Sequence, residues 1–230
     1  ALAHGGILFL DELPEFRRDI LESLREPLET GQVRVSRAHK KILWKSKVTL
    51  VAACNNCPCG WFSSRRKRCT CPMNKIHAYR RKLSGPVLDR IDIHMNMPES
   101  MVDNSPFIAN LMDMKKRGEQ TSALQREVKK ARVFGLKRNQ KLEAKYNRDL
   151  KPEALIQALG LEKQKIFDVV KTLSEKLTSH RSMFRTLRVA RTLADLKESS
   201  AVHDEDIMQS LKWAQEFAAK ERGDHALGLS

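Results

Sequence analysis

Apolar residues run unbroken from Ile7 through Leu10 and stop at two adjacent carboxylates, Asp11 and Glu12. A short apolar run bounded by polar residues predicts a buried strand over 7–11. The period then changes: Phe16, Ile20, Leu24 and Leu28 recur every fourth position, predicting one amphipathic helix over 14–30 that Gly31 ends. Residues 33–36 and 42–44 alternate around the basic stretch 37–41, predicting a hairpin over 33–44 with a positive tip and Trp44 at its base. Residues 48–53 read as a second buried strand ending at Asn55-Asn56. A cysteine-rich insert (54–74) follows, then a helix over 75–83 and a break at Gly85-Pro86. A short helix from Leu88 leads into a third strand near His94.

Past Pro98 the pattern is polar, and 99–121 reads as a linker with one short helix. From Ser122 onward the period is helical, with helices over 122–145, 152–158, 162–178, 181–199 and 204–221. Pro152 suits a first helical turn and Asp204 an N-cap. The chain is therefore α/β over 1–98 and all-α over 122–230, with no internal repeat.

Composition narrows the partners. The 230 residues are 41% apolar, enough for one large core or two small ones. Lys and Arg number 43 against 28 Asp and Glu, a net charge of +15 that favours polyanions: nucleic acid first, an anionic membrane surface second. A basic helical domain that binds nothing specific has the same balance. No apolar run approaches a bilayer span, so a soluble protein is expected. All five cysteines lie between Cys54 and Cys71, and no secretory leader is visible. That clustering points to metal ligation in a reducing cytoplasm, not to structural disulfides.

Two sets of residues carry candidate chemistry. An acid at the carboxyl end of a buried strand can hold a phosphate-bound magnesium. Asp11 takes that position, and Glu12 could polarise the water that attacks a terminal phosphate. The same residues fit a strand followed by an N-capped helix. No Gly-x-x-x-x-Gly-Lys-Ser/Thr occurs in the sequence, and Gly5-Gly6 is no substitute. Either the chain starts inside a larger domain, as the opening Ala1-Leu2-Ala3-His4 suggests, or it is not a nucleotide enzyme. The second set is Cys57-x-Cys59 and Cys69-x-Cys71, two close pairs fit for a tetrahedral structural zinc, with Cys54 as a non-ligand on a buried strand. Between the pairs, residues 65–68 form a basic loop that suits either phosphate contact or plain solvation.

The blocks around these residues resemble one family. Residues 6–16 (GILFLDELPEF) are similar to the Walker B segment of magnesium-chelatase-like AAA+ ATPases of the ComM/YifB type. The resemblance continues through LREPLE (24–29), NNCPCG (55–60), SGPVLDRID (84–92) and RVARTLADL (188–196), in the family's order and over nearly the whole chain. It covers the back half of such a protein.

The resemblance implies a partial AAA+ P-loop NTPase core followed by a helical lid, with ATP and magnesium as cofactors and assembly into a hexameric ring. Asp11 and Glu12 take the metal and water roles. Asn55 stands at sensor 1, although an ordinary turn residue fits there too. Arg90 matches the arginine finger, with an ion pair to Asp89 or Asp92 as the alternative. Arg181 matches sensor 2, and an interface salt bridge is the expectation for Arg185 and Arg188. The hairpin matches the pre-sensor-1 hairpin, with Arg34, Arg37, Lys40 and Lys41 tracking a DNA backbone or merely solvated. The family usually has Asn-Pro where this chain has Asn55-Asn56, and often Met where it has Cys54. The implied work is helicase or branch migration during recombination in competence. Alternatives are a non-catalytic, zinc-stabilised nucleic-acid-binding module, or a chelatase-type motor subunit acting on a protein. In an AAA+ sheet the Walker A strand lies between the sensor-1 strand and the last strand. By itself the chain is therefore expected to be inactive toward ATP and incompletely folded in its first half, with the helical region folding alone.

Overall fold

The computed structural model describes residues 2–37, 40–83, 85–97, 114–177 and 179–226. They fall into two compact units, Ala1–Ile91 and Asp92–Ser230.

The first unit mixes strands and short helices. Its strands are β1 (Ile7–Leu10), β2 (Gln32–Arg37), β3 (Lys40–Lys45) and β4 (Thr49–Ala52). β1 and β4 pair in parallel, with Ile7 opposite Thr49 and Leu10 opposite Ala52. The apolar runs predict buried strands, yet Ile7 is 68% exposed, Phe9 59% and Val51 43%. A pleated pair has two faces, and the described residues cover only the one carrying Leu8, Leu10, Leu50 and Ala52. The strand expected near His94 is absent: residues 91–97 hold no regular structure. A strand persists only against a ladder of neighbouring strand, whereas here the His94 N–H donates to the Trp213 carbonyl of a helix at 3.1 Å.

The single helix expected over 14–30 is three pieces: a 3-10 turn (Leu13–Glu15), α1 (Arg18–Ser23) and α2 (Arg25–Thr30). Phe16 and Arg17 are extended, with ψ of 146° and 144°. Pro27 accounts for the second break, because its ring opposes the carbonyl four residues earlier, at Ser23, where α1 stops. Gly31, at φ +68°, closes α2 as the pattern requires.

In the hairpin, β2 and β3 pair antiparallel with Val33 opposite Trp44, Val35 opposite Ile42 and Arg37 opposite Lys40. The ladder thus extends into the stretch expected as a tip. The tip residues 38–39 and the side chains of Arg37, Lys40 and Lys41 lie outside the described residues. Trp44 does not anchor the base; it is 51% exposed. The cysteine-rich loop then leads into α3 (Met73–Arg81), and α4 (Gly85–Leu88) follows. Gly85-Pro86 opens this helix instead of breaking the chain, since proline fits a first turn. Leu13, Leu21, Cys57, Ile76, Tyr79, Leu83 and Val87 are buried apolar positions of the unit.

The second unit is helical: α5 (Met114–Gln140), α6 (Pro152–Ala158), α7 (Lys163–Lys176), α8 (His180–Leu196) and α9 (Asp204–Ala226). The helix expected from 122 thus begins at Met114 and ends before 145; most of the expected linker lies outside the described residues. α8 is the centre. Met183, Leu187, Ala190 and Ala194 make one buried stripe at helical spacing, packed with Leu155, Leu159, Leu173, Val202 and Ile207. Ser179 caps α8 by accepting the Ser182 N–H at 3.1 Å. At the start of α9 the capping acid is Asp206, which accepts the His203 N–H at 3.0 Å, and not Asp204, which pairs with Lys165 at 2.7 Å.

A buried polar network ties these helices together. Arg191 is fully buried and donates to the carbonyls of Ala158, Ser199 and Ser200 at 3.2, 2.5 and 3.1 Å. Asp195 neutralises both Arg191 and Arg138. Gly135 lets α5 approach α8: a Cβ there would sit 3.1 Å from the Asp195 carboxylate. At Gly160, φ is +66° and a Cβ would meet the Ser200 carbonyl at 2.5 Å, so only glycine fits.

Candidate functional site

The parallel pairing of β1 and β4 sends both chains out of the same, carboxyl edge of the sheet. Ala53 N–H donates to Leu10 O at 2.9 Å, and Leu13 N–H to Ala53 O at 2.9 Å. These two bonds carry the pairing past the strands and enclose Asp11 and Glu12 on one side, with Cys54 and Asn55 following on the other. In open α/β sheets such an edge is where ligands bind. Asp11 and Glu12 are exposed, and Asp11 Oδ1 accepts the Glu12 N–H at 2.9 Å. Glu12 has φ +49° and ψ +47°, a left-handed conformation that a non-glycine residue enters only at a cost. An exposed carboxylate at a sheet edge matches the hard oxygen donors magnesium prefers.

Asn55 is exposed on this edge. Its loop is held from outside by α3. Arg80 Nε donates to the Asn56 carbonyl at 3.2 Å, and its guanidinium stacks on Phe62 with 5.0 Å to the ring centroid. The Tyr79 hydroxyl, on a side chain 5% exposed, is hydrogen-bonded by the Asn55 backbone. Burial, with Cys54, Glu15 and Glu12 adding negative charge, pushes the Tyr79 phenol up to about 12. Sequence reasoning missed both residues. Their only sequence signal is an adjacent aromatic and cation on the helix after the cysteine insert.

The cysteine insert gathers Cys57, Cys59, Cys69 and Cys71, whose Sγ atoms all lie within 4.8 Å of one another. Three of the separations are 3.4, 3.5 and 3.7 Å. A tetrahedron of thiolates around zinc at about 2.3 Å has edges near 3.8 Å, so the donor set fits. Backbone N–H groups of Phe62 and Cys71 reach the sulfurs of Cys57 and Cys69 at 3.3 and 3.4 Å. The backbone N–H of Trp61 draws the Cys59 thiol down to about 6, whereas burial pushes Cys69 up to about 12 and raises Cys71. Metal loading near neutral pH would therefore release protons. Cys54 lies outside the cluster as expected but is exposed, one of the positions past the end of β4. Residues 65–68 are exposed, and Lys67 lies over the Trp61 ring at 5.4 Å.

The remaining sequence-selected arginines have defined neighbours. Arg90 pairs with Glu29 at 2.6 Å, not with Asp89 or Asp92, and its side chain is 10% exposed. Arg181 is exposed in the first turn of α8. Arg185 and Arg188 face Asp92 within their own unit, and Arg188 also donates to the Leu150 carbonyl at 3.0 Å. Burial raises the Asp92 carboxyl despite both arginines and lowers the Arg188 guanidinium. Arg34 is drawn to Glu26 at 3.3 Å, an exposed pair worth little. Among the described residues no helix is long and apolar enough to cross a membrane.

Comparison with known proteins covers both units. A family model described as magnesium chelatase, subunit ChlI, matches residues 1–105, and its C-terminal counterpart matches 118–213. The chain is 36% identical over 213 residues to the uncharacterized protein YifB of Escherichia coli, covering 93% of this chain and 40% of that protein. It is 35% identical over 211 residues to the competence protein ComM of Haemophilus influenzae, covering 92% and 39%. An uncharacterized protein of Mycobacterium tuberculosis is 31% identical over 218 residues, covering 95% and 41%. The chain thus spans about 40% of the length of these relatives.

Proposed function

Because the chain belongs to the magnesium-chelatase-like family of the ComM/YifB type, we propose that it is the carboxy-terminal part of a magnesium-dependent ATPase motor acting on DNA. The observation that carries this reading is the shared carboxyl edge, where β1 delivers Asp11-Glu12 beside the Asn55 turn after β4. Magnesium, when bound with ATP, would neutralise charge on the terminal phosphates. Asp11 would hold it, directly or through water, and Glu12 would accept the proton of the attacking water. Asn55, with its backbone bonded to Tyr79, would orient that water. Arg90 would serve a neighbouring subunit's nucleotide in a hexameric ring, which requires its release from Glu29. Arg181 would report the terminal phosphate to the helical unit.

Zinc at Cys57, Cys59, Cys69 and Cys71 would be structural, since four protein ligands leave no position for a reacting water. The DNA role is supported by the net charge of +15, by the basic hairpin, and by the competence relative. Its contacts would be Arg34, Arg37, Lys40 and Lys41. The test is Glu12→Gln in the complete polypeptide that carries this chain. ATP turnover falls by about 100-fold or more while ATP is still bound, as loss of a general base demands. Undiminished turnover in that variant would remove the motor reading.

A further inference from the structure

We propose that the outer face of α5 is a second DNA-binding surface, on which Arg126, Lys129, Lys130 and Lys137 grip the phosphodiester backbone. The four cations line one shallow groove together with Val133, Phe134 and Glu198. Positions 126, 130, 133 and 137 step by four, three and four residues, the spacing that places side chains on one helical stripe. All four cations are exposed.

What marks this face is that four cations converge on one groove. Elsewhere in the same unit Arg138, Lys165, Arg191 and Lys197 each have a carboxylate partner. Among the described residues none of the four groove cations has one. Arg126 and Lys130 are like charges one helical turn apart, an arrangement that weakens a helix unless an anion lies across it. The helix as a whole carries nine Lys or Arg and two Glu in 27 residues. Its apolar positions do not explain the face either: Val133 is 45% exposed and Val128 41%.

The dimensions suit a nucleic-acid strand. From Arg126 to Lys137 the stripe runs about 16 Å at 1.5 Å per residue. That is the axial length of about five phosphates on one DNA strand. Exposed Val133 and half-buried Phe134 give the groove an apolar floor for sugar contact. Glu198, held at φ +52° in the turn after α8, is the one acid among the lining residues and opposes an anion there. The hairpin belongs to the other unit. The α5 surface rests on DNA being the partner, as proposed above, and not on ATP hydrolysis.

The test measures anisotropy of a fluorescein-labelled, mixed-sequence DNA duplex against the 230-residue chain over a range of NaCl concentrations. Lys130→Glu with Lys137→Glu weakens binding at least tenfold and lowers the slope of log K against log salt by about 2, near 0.9 for each phosphate no longer neutralised. Lys130→Arg with Lys137→Arg retains binding, and Glu198→Gln strengthens it. Circular dichroism confirms that the helices persist in each variant. Affinity and salt slope unchanged by the double charge reversal overturn the proposal. So does absence of DNA binding by the unaltered chain, which removes the DNA partner as well. Loss of binding only in Arg37→Glu with Lys40→Glu assigns DNA to the hairpin alone, again against α5. No ATP enters this measurement, so failure of the ATPase reading registers separately.

Discussion

The two units use similar apolar content to opposite effect. In the helical unit Leu155, Leu159, Leu173, Leu187, Ala190 and Ala194 are wholly buried, and Arg191 among them is paired with Asp195. In the first unit two strands of comparable apolarity leave Ile7, Phe9 and Val51 exposed, and Ile42 and Trp44 are exposed on the hairpin. A helix satisfies its own backbone, so a bundle of helices can close locally. A strand depends on partners that are distant in sequence. The contrast separates a unit whose helices close a core from one in which the described residues leave a strand face uncovered.

Four experiments break or sharpen this contrast, the largest effect first. Stripping metal with a chelator should abolish hydrogen-exchange protection through the cysteine insert and α3, because a four-thiolate site contributes its binding energy directly to local folding. Protection in α8 should be unaffected. Equal protection of the insert with and without metal, or no metal in purified protein, rejects the zinc site. Next, Asp195→Ala leaves Arg191 and Arg138 without their shared counter-charge and should cost the helical unit about 3–5 kcal/mol in urea denaturation. A change within error would show that the network is not what closes that unit.

Alkaline titration probes the contact between Tyr79 and the Asn55 turn. The Tyr79 phenol is raised to about 12 in the folded chain. The folded state therefore keeps its proton where the unfolded chain, near pH 10, begins to lose it. The stability Tyr79 contributes is complete below about pH 10 and is lost as pH rises toward 12. Tyr79→Phe should remove that component of the alkaline loss, and an identical profile in the variant would place the phenol in water. Smallest of all, Phe9→Ala should change stability of the isolated chain by no more than about 0.5 kcal/mol, as for a surface site. A loss of several kcal/mol would mean that the face is covered in solution.

Much of the chemistry was legible in residue order. The cysteine pairs met as their spacing indicated, because two short turns can bring paired thiolates together without help from the rest of the fold. The helical unit was readable for the same reason: a 3.6-residue period is a local property. Breaks were harder. The kink at Pro27 and the extended Phe16-Arg17 interrupt a helix whose apolar spacing alone looked continuous.

Residue order by itself determined the strand that ends in Asp11-Glu12, the four-cysteine cluster and the amphipathic helices, since each depends on groups near one another along the chain. Tertiary structure alone decided that Arg90 sits on Glu29, that Tyr79 and Arg80 hold the Asn55 turn, that 91–97 form no strand, and that four cations of α5, without a carboxylate partner among the described residues, share one groove. Each of those outcomes depends on which distant backbone or charge comes within a few ångströms, and side-chain periodicity carries no record of that.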